Sequence, residues 1–250
     1  MRLTMFFTKF LSSKLTKRNL KIALQIAQEK KEKSAFVFDM DSTLFCMTYR
    51  NQVILKEAFE ECSFAKKIPT HLKKFSNIQI KKTDWSVKEI LSRYGKLEEP
   101  FLQEIEKIWK KKFFSNDYLY LDQPYKGVLK FLKRLAKSSN HIYYLTARNW
   151  NKMSRGTFET IKKYKLPLKK DSHLIMKKDL KLKDADYKTK HLESLSKQFD
   201  TVCFFENEPV ILNQVSKSLP EIHLFWINST HSRRERAPKK ALTLSMTYSF

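Results

Sequence analysis

Two aspartates, Asp39 and Asp41, follow directly on a short apolar run at 35–38. Residues two apart on an extended chain point to the same side, so the two carboxylates can face one point in space. Like charges at that separation need a cation or a proton between them. Because a hard divalent ion such as Mg²⁺ prefers carboxylate and carbonyl oxygens, the pair is a candidate magnesium site.

Polar or charged residues also stand at the ends of two further apolar runs, and a lysine stands near the start of a helix between those runs. In a parallel sheet the carboxyl ends of the strands share one edge, and ligands bind at that edge. The sequence therefore predicts that these side chains gather beside the two aspartates. The residues concerned are Thr146, Arg148, Lys188, Glu206, Asn207 and Glu208.

Positioning these residues requires strands, and short runs rich in β-branched and aromatic residues do alternate with stretches of helical periodicity. This alternation predicts an α/β fold with three layers, in which a parallel sheet carries helices on both faces. Strands are predicted at 34–39, 141–146, 201–206 and 222–227, with a weaker one at 173–176. Helices are predicted at 15–31, 126–137, 150–164, 188–198 and 209–218.

Residues 46–122 interrupt the alternation, because they show helical patterns at about 50–67, 86–95 and 98–114 and no convincing buried strand. This pattern predicts a mostly helical insert, a small second domain. The expected organisation is a basic helical segment at 1–33, a core formed by 34–45 and 123–228, the insert at 46–122, and a loose basic tail at 229–250.

Composition excludes several classes of protein. Only 3 glycines are present, and neither glycine-rich phosphate-loop pattern can be written with them. Three cysteines without a C-x-x-C spacing argue against a disulfide framework or a zinc ribbon. No apolar stretch is long enough to predict a transmembrane helix, and the apolar run at 5–7 is too short for a secretion signal. We therefore expect a cytoplasmic protein.

Positive charge is in large excess, since 50 Lys and Arg face 26 Asp and Glu and the net charge is +24. Such a surplus attracts anions, among them phosphorylated metabolites, nucleic acid and acidic lipid. The largest share falls in 126–200, which holds 20 basic and 7 acidic residues. There the lysines alternate with core positions, for example over 126–137, so we expect most of them on solvated helix faces rather than along a nucleic-acid track.

The order of these motifs resembles the haloacid dehalogenase-like superfamily of phosphatases and phosphotransferases. The resemblance rests on the segment 36–44, with its D-x-D-x-T pattern, then on Thr146, Lys188 and the acidic cluster that begins at Glu206. It covers about 34–227, with the insert in the place of the family's first cap domain. It implies a Rossmann-like core with a helical cap domain. Ser42 stands where the family often has glycine.

The resemblance also implies roles and a Mg²⁺ cofactor. Asp39 would be the nucleophile that forms an aspartyl-phosphate, and Asp41 would protonate the leaving group and then activate water. Thr146 and Lys188 would bind the phosphoryl group. Mg²⁺ would be held by Asp39, Glu206 and the backbone carbonyl of Asp41. The implied activity is hydrolysis of a phosphomonoester, with a small phosphorylated metabolite as substrate.

Alternatives remain open at this stage. The charge also suits a nucleic-acid end phosphatase, and the same fold could be a catalytically inactive binding protein. Asp39 and Asp41 could form a turn and helix cap, and Glu206 could favour a helix dipole. Lys183 and Lys190 are near alternatives to Lys188, and Arg148 is expected to form a structural salt bridge or to attract anions rather than to act in catalysis.

Overall fold

The apolar runs form one parallel sheet. A computed structural model describes residues 2–63, 78–95, 98–138, 141–170, 173–179 and 181–248. The sheet has six strands in the order β5-β4-β1-β6-β7-β8, and all neighbouring pairs are parallel. These strands are β1 (Ser34–Phe38), β4 (His141–Asn149), β5 (Leu174–Lys177), β6 (Thr201–Glu206), β7 (His223–Ile227) and β8 (Leu242–Leu244).

Helices cover both faces of the sheet, and this arrangement confirms the predicted three-layer α/β fold. Alternate β1 residues enter different cores, Phe36 and Phe38 on one face and Ala35 and Val37 on the other. The first core contains α1 (Arg2–Lys30), α5 (Val128–Lys137) and α6 (Trp150–Lys163), and the second contains α7 (Asp184–Ser196) and α8 (Pro209–Ser218). Among the described residues, no helix combines the length and the apolar character needed to cross a membrane.

The described part of 46–122 is helical and has a hydrophobic cluster of its own. Helices α2 (Thr48–Glu61), α3 (Val87–Ser92) and α4 (Glu99–Phe113) supply most of its buried side chains, and Cys62 and Ile78 add to them. Residues 64–77 and 96–97 of the predicted insert, which include the end of the helix predicted at 50–67, lie outside the described residues.

A short antiparallel pair of strands joins the two ends of this insert. Strand β2 (Phe45–Cys46) pairs with β3 (Gln123–Pro124). The chain therefore leaves the core and returns to it at one place, next to the carboxyl end of β1.

The prediction of a loose tail at 229–250 is wrong for residues 242–248. Strand β8 extends the sheet beside β7, and the Tyr248 side chain is fully buried. The Tyr248 hydroxyl donates to the Thr43 carbonyl oxygen over 3.0 Å. The strict alternation of apolar and polar residues over 242–248 is typical of a strand. Long-range contacts, such as the bond from the Asn19 amide to the Thr243 carbonyl, hold the segment in place.

A glycine on α6 allows the chain that returns from the insert to pack closely. Gly156 faces the 3₁₀ helix at Asn116–Leu121, and a Cβ at this position would lie 2.7 Å from the Asn116 carbonyl oxygen. The Gly156 amide also donates to Asn116 Oδ1 over 2.8 Å. Because the near atom belongs to the backbone, a Cβ at this position could be accommodated only by moving the backbone of one of the two helices.

We expect Gly156→Ala to lower the free energy of unfolding by about 1–3 kcal/mol, the usual cost of overpacking. On helix propensity alone the change would stabilise by about 0.5–1 kcal/mol, so the sign of the effect tests the close approach. Urea unfolding measures it, with Ser154→Ala on the same helix as the control. A stabilised Gly156→Ala protein would show that the two backbones are not in contact.

Candidate active site

The two central strands, β1 and β6, place Asp39 beside Glu206. Phe38 pairs in register with Phe205, so the next residue of each strand emerges at the same level of the sheet. The Asp39 amide continues the ladder by donating to the Phe205 carbonyl oxygen over 3.0 Å. Parallel pairing thus brings two carboxylates to the carboxyl edge of the sheet, as the sequence predicted.

Helix α7 turns Lys188 towards this pair. Its buried residues include Tyr187, Lys188 and Leu192, so the apolar face that packs on the sheet carries the lysine with it. The Lys188 ammonium lies 2.6 Å from Asp39 Oδ1 and 2.6 Å from Glu206 Oε2. The two carboxylate oxygens are therefore no further apart than twice that distance. All three side chains are buried.

The three groups carry one negative charge too many when all are ionised. Burial raises the pKa of Asp39, and it raises the pKa of Glu206 to about 7 against the lowering effect of Lys188. Burial also disfavours the charged form of Lys188, but the charges of Asp39 and Glu206 outweigh it and raise the pKa of the lysine. The cluster therefore holds a protonated lysine and favours a further proton or cation.

Asp41 lies in a separate ion-pair network. Arg148 binds its carboxylate with two nitrogens, Nη2 at 2.7 Å from Oδ1 and Nε at 3.1 Å from Oδ2. Arg50, from helix α2 of the insert, donates to Asp41 Oδ1 over 3.1 Å. Asp122 completes the group, with Oδ2 accepting from Arg148 Nη2 over 2.6 Å and Oδ1 lying 3.2 Å from Arg50 Nε. Two cations and two anions balance, unlike the cluster around Lys188.

This network sets the charge state of Asp41. Burial alone would raise the pKa of Asp41, but the charges of Arg148 and Arg50 outweigh burial and lower the pKa well below its ordinary value. In this arrangement Asp41 is a carboxylate, which accepts a proton and does not donate one. The network confirms the structural salt bridge expected for Arg148, and it places that salt bridge on one of the predicted site residues.

The loop after β1 adopts a tight turn that explains one feature of the sequence. Ser42 has φ 60°, in the left-handed region where glycine is easily accommodated and other residues are rare. The Ser42 amide donates to the Phe45 carbonyl oxygen over 2.8 Å, and the Leu44 amide donates to the Met40 carbonyl oxygen over 2.9 Å. The turn presents Asp39 and Asp41 at the edge and then sends the chain into β2.

Asn207 and Glu208 hold neighbouring segments of the chain. Asn207 Oδ1 accepts from the Thr43 hydroxyl over 3.0 Å. The Glu208 carboxylate accepts from the amide and the hydroxyl of Ser232, over 2.9 and 2.6 Å. These bonds tie the loop after β1 and the C-terminal segment to the carboxyl end of β6, so both side chains are engaged in structural contacts.

Thr146 is fully buried near the end of β4, where its hydroxyl accepts from the Arg148 amide over 3.3 Å. One cleft of about 1540 Å³ adjoins the five residues proposed from the sequence. It lies between the carboxyl edge of the sheet and the insert. The structure therefore brings together Asp39, Asp41, Thr146, Lys188 and Glu206.

The donor atoms beside Asp39 fit a hard divalent cation such as Mg²⁺. Asp39 and Glu206 offer carboxylate oxygens, and their cluster with Lys188 has an excess negative charge in a buried site, which a cation would balance. Within the described ranges, no three side chains of His, Cys, Asp or Glu come together as a metal site. Two carboxylates leave coordination positions for backbone carbonyl and water oxygens, as Mg²⁺ sites commonly have.

Sequence reasoning missed Arg50 and Asp122, both of which are fully buried. One signal existed for Arg50, because it stands four residues before Ile54 and eight before Ala58, on the buried face of α2. An arginine on an apolar helix face needs a partner. Asp122 had no comparable signal, since its partners come from distant parts of the chain.

Comparison with protein-family models gives no match for this chain, and comparison with curated proteins also gives none. Solved structures do match. A candidate phosphatase from Clostridium difficile superposes with a TM-score of 0.54 at 12% identity, covering 86% of this chain and 95% of that one. A haloacid dehalogenase-like hydrolase from Streptococcus pneumoniae gives 0.50 at 13% identity, with coverages of 84% and 92%.

A predicted phosphoglycolate phosphatase from Haemophilus somnus 129pt also matches, with a TM-score of 0.51 at 11% identity and coverages of 86% and 94%. At these identities the likeness concerns the fold. This chain has the haloacid dehalogenase-like hydrolase fold, so the predicted resemblance is confirmed at that level.

We expect Lys188→Met to lower the free energy of unfolding by about 3–5 kcal/mol, because it leaves two buried carboxylates without their cation. Lys190→Met, two residues along the same helix and exposed, is the matched control and should change stability by no more than about 0.5 kcal/mol. Denaturant unfolding of both variants measures the difference. Equal stabilities would show that the Lys188 ammonium does not hold Asp39 and Glu206 together.

Proposed function

We propose that this protein is a phosphatase that hydrolyses phosphomonoesters with Asp39 as the nucleophile. The observation that carries the proposal is the buried cluster of Asp39, Lys188 and Glu206 at the carboxyl edge of the sheet, beneath an open cleft. Phosphoryl transfer mainly needs an aligned nucleophile and cations against the phosphoryl oxygens. The cluster supplies both beside Thr146.

The proposed reaction has two displacements at phosphorus. Asp39 forms a bond to phosphorus as the bond to the leaving oxygen breaks, which yields an aspartyl-phosphate. Lys188 neutralises charge on the phosphoryl oxygens, and the Thr146 hydroxyl donates to one of them. Water then attacks the same phosphorus and releases Asp39 and inorganic phosphate.

Asp41 would handle the proton in both displacements. As a carboxylate it would accept the proton of the attacking water, although Arg50 and Arg148 weaken it as a base while they hold it. To protonate a leaving group in the first displacement it must leave these arginines. Arg50 lies on α2, so such a movement involves the helical insert, which we propose to be a cap over the site.

Mg²⁺ is the proposed cofactor. Asp39, Glu206 and the backbone carbonyl of Asp41 would hold the ion, which supplies positive charge against the phosphoryl oxygens when bound. Lys188 sits between the two carboxylates, so it would share them with the ion.

Purified protein is expected to hydrolyse p-nitrophenyl phosphate in the presence of Mg²⁺ and to lose this activity with a chelator. Asp39→Asn should abolish turnover, because an amide is neither a nucleophile nor a good Mg²⁺ ligand. Asp200→Asn, which changes an exposed aspartate that is distant in sequence from Asp39, serves as the control and should retain full activity. Phosphate release at saturating substrate is the measurement, and turnover that survives Asp39→Asn would remove Asp39 from the nucleophile's role.

Asp41→Asn should lower kcat/KM for unactivated alkyl phosphates by about 10²–10⁴, the usual contribution of a general acid. Aryl phosphates with acidic leaving groups need no proton and should lose less. Comparing the two substrate series gives the dependence on leaving-group pKa. An equal loss on both series would mean that Asp41 does not protonate the leaving group.

A second candidate function, binding of a phosphorylated ligand without turnover, is favoured by how fully the site carboxylates are engaged. Both Asp41 oxygens accept from arginine. Glu206 Oε1 accepts from two backbone amides, each over 2.9 Å, and Oε2 accepts from Lys188. Ligand binding that is retained without Mg²⁺, with no phosphate release from any ester, would support this candidate over the phosphatase.

A further inference from the structure

An aromatic cluster at the end of α4 adjoins the cleft. The Trp109 and Phe113 rings are stacked with their centroids 4.5 Å apart, and Phe114 packs edge-on against Phe113 at 5.1 Å. Phe114 is 46% exposed, and so is Trp85, a further residue of the cleft wall. Exposed aromatic faces inside a cleft can stack on a flat ring of a ligand.

This cluster is linked directly to the proposed reaction centre. The Arg50 guanidinium lies 4.0 Å from the centroid of the Phe113 ring and at the same time donates to Asp41. The Trp109 indole donates to Asn51 Oδ1 over 3.0 Å, which fixes the ring plane. A ligand whose phosphate reaches Asp39 therefore has an aromatic surface within the same cleft.

The cleft also carries cations that are available to a ligand. Five exposed side chains on its wall have no ion-pair or hydrogen-bond partner in the part of the chain that the structure describes: Lys111, Lys152, Lys181, Lys183 and Arg234. They come from the insert, from α6, from the approach to α7 and from the C-terminal segment, so four parts of the chain contribute cations to the cleft.

The acidic side chains of the outer cleft, by contrast, are engaged. Asp84 binds Arg93 over 2.6 Å, Asp117 lies 3.4 Å from Arg155, and Asp184 lies 2.6 Å from Lys177. The charge left over for a ligand is therefore positive, and it suits more than one phosphate.

The fold changes the expectation drawn from the sequence that most lysines lie on solvated helix faces rather than along a nucleic-acid track. Lysines of α5 such as Lys130 and Lys133 are exposed, as predicted. Lys111 and Lys152, however, are far apart in the sequence and share the cleft with the aromatic cluster. Lys111 already lies between Trp109 and Phe113 in the sequence, and the fold adds Lys152 from α6 to the same cleft.

The volume of the cleft also favours a ligand that is larger than a small aliphatic phosphate. Sites for small ligands usually measure about 300–1,000 Å³, and this cleft measures about 1540 Å³. A small aliphatic phosphate would contact Asp39 and Lys188 and leave the aromatic surface and the outer cations without a partner.

We propose that the ligand of this cleft is a nucleotide, either free or at the phosphorylated end of a single strand. Its base stacks on Phe114 or Trp85, and its further phosphates contact the unpaired cations of the wall. Stacking of bases on aromatic rings combined with a basic groove is the established way in which proteins hold single strands. The inference that the nucleotide is a substrate rests on the proposed phosphatase function. The inference that the nucleotide binds in the cleft does not.

Competition binding tests the proposal. A single-stranded oligonucleotide with a terminal phosphate and a fluorescent label is displaced from the full-length protein by unlabelled competitors at physiological salt. The competitors are the same strand, a mononucleotide, and a sugar phosphate that has the same charge as the mononucleotide. We expect the strand or the mononucleotide to compete at least about tenfold better than the sugar phosphate.

Variants locate the binding surface. Phe114→Ala or Trp85→Ala, whichever ring carries the base, should weaken nucleotide binding by about fivefold or more, the effect of losing one stacked base. Tyr120→Ala removes an aromatic ring that is 61% exposed and does not adjoin the cleft, so it should change binding less than twofold. Lys111→Gln combined with Lys152→Gln should weaken binding and its salt dependence, while Lys130→Gln combined with Lys133→Gln should not.

The outcomes separate this proposal from the phosphatase function. Preference for the strand assigns the ligand to a strand end, and equal competition by the mononucleotide assigns it to a free nucleotide. Equal competition by the sugar phosphate would overturn the proposal, and so would effects of both Phe114→Ala and Trp85→Ala that are no larger than that of Tyr120→Ala. Phosphate release is measured in parallel. Base-dependent binding without hydrolysis would contradict only the proposed phosphatase function. Hydrolysis without any preference for a base would contradict only the proposal that the ligand is a nucleotide.

Discussion

Two buried carboxylates that share one ammonium are the constraint on which the rest of this structure depends. Asp39 and Glu206 are adjacent because β1 and β6 pair in register, and Lys188 reaches both because it lies on the buried face of α7. Charges in such a place are costly unless they are paired, and here one anion exceeds the available cations. The same imbalance is the basis for the metal ion and the phosphoryl chemistry that we propose for this site.

The network around Asp41 is balanced instead, and it joins the insert to the core. Arg50 belongs to α2, while Arg148 and Asp122 lie on the core side and at the returning chain. Any movement of the insert that withdraws Arg50 changes the environment of Asp41. The charge state of Asp41, the proposed acid–base residue, therefore depends on the position of the insert.

Much of this site could be predicted because its residues stand where strand ends or helix starts must bring them. Asp39, Asp41 and Glu206 each stand at the end of an apolar strand, and the carboxyl ends of parallel strands meet at one edge of the sheet. Asp122 could not be predicted, because its contacts come from residues distant in sequence, whereas strand β8 had a signal in the alternating residues 242–248. The cleft shows the same limit: Lys111 is close to Phe114 in the sequence, but only the fold brings Lys152 into the same cleft.

Trapping the covalent intermediate tests the central claim most directly. Protein that is turning over p-nitrophenyl phosphate is quenched with borohydride, which reduces an aspartyl-phosphate to the corresponding alcohol, and its peptides are analysed by mass spectrometry. The account predicts that the reduced residue is Asp39, in the peptide that spans β1 and the following turn. Reduction at another carboxylate, or turnover with no trapped residue at all, would contradict it.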